Sequence, residues 1–166
     1  MNDYKVIDNF CDLEFYKNLK NLITHEDFPW RRRLKTVEED INSLGYFTHN
    51  FYNNAQIQSE CFEPFIIPIL QKLNARAVIQ VRANLDFERL YLKNNSLYHI
   101  DNFDDHFTSI LNLSENGGGT ELKLKNEEIF LKSKENRMII FKSNIMHRAV
   151  KPDANKVRYL INFNYY

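Results

Sequence analysis

From Ala77 onward the apolar residues of the chain change period and do not change back. Over roughly 78–87, 96–101, 106–113, 119–125, 128–132, 137–141, 146–150 and 157–165 they alternate with polar ones. Successive side chains of an extended strand leave on opposite sides, so alternation marks strands with one buried face. Short strands at roughly ten-residue spacing, parted by turn residues, are the pattern of a sandwich or jelly roll. Eight such segments match the strand number of a jelly roll.

Before Ala77 the period is mostly helical. Tyr4 to Phe10 reads as a strand ending at Asp8-Asn9. Asp12 then caps a helix whose Phe15, Leu19, Leu22 and Ile23 fall on one side. Phe28-Pro29-Trp30-Arg31-Arg32-Arg33 sets the only Trp beside three arginines. That grouping suits either an anionic or nucleotide ligand or, more commonly, a solvated edge with Trp30 half-buried. Residues 38–45 read as a loop or short turn, and Tyr46 to Tyr52 as an aromatic strand. His49 on that strand could approach a metal or substrate, although packing is the commoner fate of a lone histidine there. Phe62, Phe65, Ile66, Ile69, Leu70 and Leu73 recur at helical steps. Pro64 suits a first helical turn, and Pro68 predicts a kink or a delayed start. The fold expected is mainly β (α+β): one domain over 1–166, with a helix and strand support region at 1–76 and a jelly-roll core at 77–166.

A chain of 166 residues can bury about two thirds of its unfolded surface without staples. Basic and acidic residues number 22 each, so net charge selects neither nucleic acid nor an anionic membrane surface. Cys11 and Cys61 are too few for a disulfide framework and fit two reduced, buried thiols. The first residues lack the basic and apolar pattern of a secretory leader, and no run reaches membrane-spanning length. A cytoplasmic location is expected.

The chemistry-bearing residues lie between Tyr98 and Arg158. In an extended segment His99 and Asp101 face one way and Ile100 the other, so one strand offers an imidazole and a carboxylate to a single point. His147, from a distant strand, completes a 2-His-1-carboxylate set, which leaves part of an Fe(II) coordination sphere open. Asp104, Asp105 and His106 are alternative ligands or a solvated loop. Arg158 supplies a guanidinium fork suited to a carboxylate. On the strand that carries it, Arg158, Leu160, Asn162 and Asn164 share a face. Arg82, Asn84 and Asp86 share one on the strand at 78–87. Polar side chains facing the inside of a roll need partners, and a polar co-substrate is one. Asn84 is therefore a second candidate for holding it. Gly117-Gly118-Gly119 lacks the Lys-Ser/Thr and helix of a phosphate loop and reads as a hairpin turn between strands.

His-x-Asp, a distal His and a basic residue further on resemble the Fe(II)/2-oxoglutarate-dependent dioxygenases, in particular the small prolyl 4-hydroxylase-like members. The flanking text is similar too: Arg82-Ala83-Asn84-Leu85, Gly118-Gly119-Thr120-Glu121, and Asn136 to Phe141. The resemblance implies a double-stranded β-helix and Fe(II) on His99, Asp101 and His147. It also implies 2-oxoglutarate with its far carboxylate on Arg158, and O2 in the remaining position. Tyr91 is implied as a further contact to the co-substrate, at a spacing from His99 that departs from the family's usual one. Hydroxylation of a C–H bond, with succinate and CO2 as co-products and ascorbate as a stimulant, would follow. The substrate implied is a peptide, with proline a candidate, or a small molecule. The neutral charge argues against the nucleobase-oxidising members, and a non-catalytic cupin-like metal- or ligand-binding roll is the alternative from another class.

Overall fold

The computed structural model describes residues 3–34, 45–87, 96–101 and 105–166. Tyr91 and Asp104 lie outside them. The strands are β1 (Tyr4–Ile7), β2 (Arg31–Arg33), β3 (Tyr46–Asn53), β4 (Gln56–Ile57), β5 (Val78–Phe87) and β6 (Phe107–Asn112). They continue with β7 (Gly119–Lys123), β8 (Glu128–Lys132), β9 (Arg137–Lys142), β10 (Met146–Val150) and β11 (Val157–Tyr165). Helix α1 spans Leu13–Thr24, and α2 spans Ile67–Lys72 directly after a π-helical turn at Phe62–Ile66. The π turn takes up Pro64, and Pro68 falls at the start of α2, where its missing N–H costs nothing. The delayed helix start expected from Pro68 is thus what forms.

A large antiparallel sheet runs in the order β1-β9-β6-β11-β5-β3-β2, with β4 on β3, and a small one runs β10-β7-β8. Chain order moves between the sheets from β6 to β7, β8 to β9, β9 to β10 and β10 to β11, which is the winding of a jelly roll. Odd-numbered residues of β5 and β11, among them Val81, Ala83, Ile161 and Phe163, face α1 and α2. There they pack with Tyr16, Leu19, Ile23, Ile66 and Ile69, each fully buried aliphatic contributing roughly 1.5–3 kcal/mol. A smaller core of Ile110, Leu122, Ile139, Phe141 and Leu160 lies between the two sheets. The support region does more than brace the sheet from outside. β1 pairs with β9 and β3 with β5, so its strands widen the large sheet. Asp8, just beyond β1, fastens this end by accepting from Arg137 Nε at 2.6 Å and Lys134 Nζ at 3.0 Å.

Three sequence expectations need correction. Residues 96–101 do not form a strand: they run beside β10 with a single bridge, His99 to His147, and turn away at Asp101. The glycine cluster is not a hairpin turn, because β6 before it pairs with β9 and β11 in the large sheet and β7 after it with β8 and β10 in the small one. It is a crossing between sheets. Gly117 takes φ +81°, while a Cβ on Gly118 would stand 2.5 Å from the carbonyl oxygens of Val150 and Lys151. One glycine thus answers the turn and the next a close backbone approach. Finally, Cys11 is buried but Cys61 only half-buried. Both are free thiols, and burial pushes Cys11 up to about 11. Among the described residues no helix is long and apolar enough to cross a membrane.

Candidate metal centre and the cavity behind it

His99 and His147 are locked opposite each other by two backbone hydrogen bonds, each 2.9 Å. The Nδ1 of His99 faces the Leu97 carbonyl at 3.1 Å, and that of His147 faces the Ile145 carbonyl at 3.0 Å. A carbonyl only accepts, so each Nδ1 carries the proton and each Nε2 presents its lone pair to the space between the rings. Oδ1 of Asp101 lies 3.9 Å from His99 Nε2 and 3.7 Å from His147 Nε2. One ligand atom from each residue then falls within 4.8 Å of the others. Oδ2 of Asp101 lies 3.0 Å from Thr108 Oγ1, which leaves Oδ1 for the centre.

The electrostatics favour the charge states a divalent cation needs. Burial opposes ionisation of Asp101, but the fields of His147 and His99 and the Thr108 hydroxyl outweigh it and hold the carboxyl below its usual range. Burial holds His147 below the ordinary imidazole value, with Asp101 opposing and His99 adding to the effect. A carboxylate held toward its ionised form and an imidazole held toward its neutral form are the states that can bind a divalent cation. Two imidazole nitrogens, one carboxylate oxygen and backbone-oriented rings fit Fe(II) chemistry.

Behind this cluster a cavity between the sheets is lined by the side chains that alternation had assigned inward. Arg82, Asn84 and Asp86 of β5 and Arg158, Leu160 and Asn162 of β11 all line it, together with His99, Asp101 and His147. Arg158 is 1% exposed. Its Nη2 donates to Thr120 Oγ1 at 3.0 Å and its Nε to Ser133 Oγ at 3.3 Å. Burial lowers its pKa to about 10, against the field of Asp86, so the guanidinium stays charged at neutral pH.

Of the residues singled out from sequence, His99, Asp101 and His147 are brought together, with Arg158 and Asn84 in the adjoining cavity. Tyr91 falls outside the described residues. Asn84 is half-buried and already accepts from Arg82 Nε at 2.9 Å. His49 is packed, its ring 4.6 Å from that of Phe28 and its Nε2 2.9 Å from Ser59 Oγ. Asp105 pairs with Lys142 at 3.0 Å. His106 is buried against Tyr166. Arg31, Arg32 and Arg33 are exposed on edge strand β2, with Trp30 half-buried on Phe28 and Tyr159. Sequence reasoning missed Thr120 and Ser133, whose hydroxyls hold Arg158, Thr108 behind Asp101, and Tyr46 in the cavity wall. Alternation on β7 and β3 could have placed Thr120 and Tyr46 inward. Ser133 follows β8 and carries no such signal.

The sequence and the fold were compared with those of known proteins. Residues 88–166 match the sequence model of the 2OG-Fe(II) oxygenase superfamily. None of the curated proteins compared with the sequence matches it. The fold is shared with a 2OG-Fe(II) oxygenase family oxidoreductase from Burkholderia pseudomallei at TM-score 0.77 and 13% identity, covering 98% of this chain and 84% of that one. A prolyl-4-hydroxylase from Pseudomonas putida gives TM-score 0.67 at 15% identity, over 99% and 93% of the two chains. A prolyl hydroxylase from Trichoplax adhaerens, solved with a hypoxia inducible factor peptide, gives 0.69 at 14%, over 100% and 84%. Over residues 88–166 this chain is similar in sequence to the 2OG-Fe(II) oxygenase superfamily, and it joins to that match a jelly-roll fold and a His-Asp-His cluster that could hold a metal ion.

Proposed function

We propose that the protein hydroxylates a C–H bond of a small molecule or peptide, with His99, Asp101 and His147 as the Fe(II) ligands and Arg158 as the anchor for the far carboxylate of 2-oxoglutarate. The observation that carries this is the shared cavity, whose lining holds both the three convergent ligand atoms and a fully buried guanidinium. When bound, the iron and 2-oxoglutarate together supply the oxidising chemistry, with decarboxylation to succinate. The chain's own part is placement and shielding. Leu97 and Ile145 carbonyls orient the two imidazoles, and Thr108 orients the carboxylate, so the three side chains are directed toward one point before metal enters. Thr120 and Ser133 aim the Arg158 fork into the cavity, where a carboxylate would neutralise a charge that is costly to hold unpaired. Leu160, Ile110 and Phe141 exclude water on the inner side of the site.

The likeness in fold to prolyl hydroxylases supports a peptide substrate as one form of this activity, a prolyl residue among the candidates. The test is succinate formation on adding Fe(II), ascorbate and 2-oxoglutarate to the purified protein, run beside Asp101→Ala. Turnover in the parent and none in the variant is the expected result. Stoichiometric binding of iron and 2-oxoglutarate with no succinate, even with peptide and amino-acid pools added, would instead mark a ligand-binding roll.

A further inference from the structure

A second cation faces the same cavity and is not accounted for by the co-substrate. Arg82 is half-buried on β5, one cross-strand step from Asn162 on β11 and one from Asn50 on β3. Residues directly opposite in a sheet share a face with their Cβ atoms about 5 Å apart, so the guanidinium has an amide on either side. Its Nε donates to Asn84 Oδ1 at 2.9 Å, its guanidinium lies 5.9 Å from the Tyr46 ring centroid, and its charge reaches the Asp101 carboxylate as the weakest of the fields that lower it. Arg148, by contrast, donates directly to the Glu121 carboxylate at 2.6 Å. Both flanking amides are incompletely satisfied. The Oδ1 atoms of Asn162 and Asn50 are buried without a hydrogen-bond partner, and Asn162 is only 8% exposed. Two orphaned acceptors beside a guanidinium are costly unless a ligand supplies N–H donors and a carboxylate together.

We infer that the primary substrate is a free α-amino acid, its carboxylate on Arg82 and its amino group on the Asn162 and Asn50 side-chain oxygens, a proposal that rests on the Fe(II)/2-oxoglutarate site above. A guanidinium fork takes a carboxylate in a bidentate manner. In an α-amino acid the nitrogen lies close to the carboxylate, so neighbouring side chains in one cross-strand row can bind both groups. The row belongs to the wall on which Arg158 and Asn84 also sit, so the substrate side chain would extend past Asp101 and the two imidazoles. An apolar substrate would leave all three polar groups unpaired, and that discriminates strongly against it.

The test is ligand-observed NMR on the Zn(II)-loaded protein with 2-oxoglutarate, using the twenty protein L-amino acids in pools, followed by calorimetry on any that bind. At least one amino acid should bind, and its carboxamide and its N-acetyl derivative should each bind at least tenfold more weakly. Arg82→Gln should weaken the amino acid at least tenfold while 2-oxoglutarate affinity moves less than threefold. Asn162→Leu, which leaves the charge in place, should weaken it at least fivefold and serves as the independent variant if Arg82→Gln does not fold. Silence of all twenty amino acids with 2-oxoglutarate binding intact overturns this inference alone. So does binding of prolyl peptides in their place, or equal loss of 2-oxoglutarate affinity in Arg82→Gln, which would put Arg82 on the co-substrate. Failure of the parent protein to bind 2-oxoglutarate removes the proposed site, and this inference with it.

Discussion

Replacing Arg158 with Met separates a ligand-binding charge from a structural one. The guanidinium is fully buried, and burial drops its pKa from the usual guanidinium value to about 10 although Asp86 opposes the shift. That difference corresponds to roughly 3 kcal/mol spent on keeping the charge in the ligand-free protein. Met has comparable length and no charge, so Arg158→Met relieves this cost while giving up hydrogen bonds to Thr120 and Ser133 and the counter-field for Asp86. The opposing contributions should leave the stability of the ligand-free protein within about 1 kcal/mol of the parent, far from the 3–5 kcal/mol lost when one member of a structural buried pair is removed. Co-substrate binding should behave otherwise. Without the cation, 2-oxoglutarate should lose about 2–5 kcal/mol, roughly 30- to several-thousand-fold in Kd. Chemical denaturation of the metal-free protein, beside calorimetry of 2-oxoglutarate into the Zn(II) form, reads both quantities. A loss of several kcal/mol in stability with unchanged 2-oxoglutarate affinity would refute the assignment, because Arg158 would then be a structural ion.

Other perturbations follow from single contacts. Thr108→Val removes the hydroxyl 3.0 Å from Asp101 Oδ2. Zn(II) affinity by competition with a chelating dye should fall about 10- to 100-fold, whereas His147→Ala should abolish stoichiometric binding. Gly118→Ala places a Cβ 2.5 Å from two backbone oxygens that cannot retreat without breaking the sheet crossing. Thermal or urea melts should show a loss of about 1–3 kcal/mol or more. Hydrogen bonding from Arg137, then from Lys134, holds Asp8 well below the usual carboxylate range. A depressed carboxyl stabilises fully above its unfolded pKa near 3.8 and loses that contribution as pH falls through its lower folded value. Asp8→Asn should therefore cost about 1 kcal/mol or less at pH 7, Asp8 being 36% exposed and screened. The gap in urea melts should close as pH falls from about 4 to about 2.

Much of the roll was legible because alternation is a local signal. The strands expected at 78–87, 128–132, 146–150 and 157–165 form with those limits, and the polar face of β5 and β11 lines the cavity as their period requires. The convergence of the three candidate ligands was legible for a similar reason, since His99 and Asp101 are near neighbours and His147 lies on a segment whose period is clear. Non-local pairing was not written in this way. The turn chemistry of Gly117 is the same whether the chain folds back on itself or crosses to another sheet, and only the partners of β6 and β7 decide which. The geometry of the centre also came from pairing, because the bridge between His99 and His147 is what brings the distant imidazole beside the His99-Asp101 pair. Arg158 could be placed inward from its strand, but its hydroxyl partners come from β7 and from the residue after β8, 38 and 25 positions away. The row of Asn50, Arg82 and Asn162 needs the register of three strands at once. Side-chain direction follows from the backbone period of each strand alone, whereas which strands lie side by side depends on burying the whole set together.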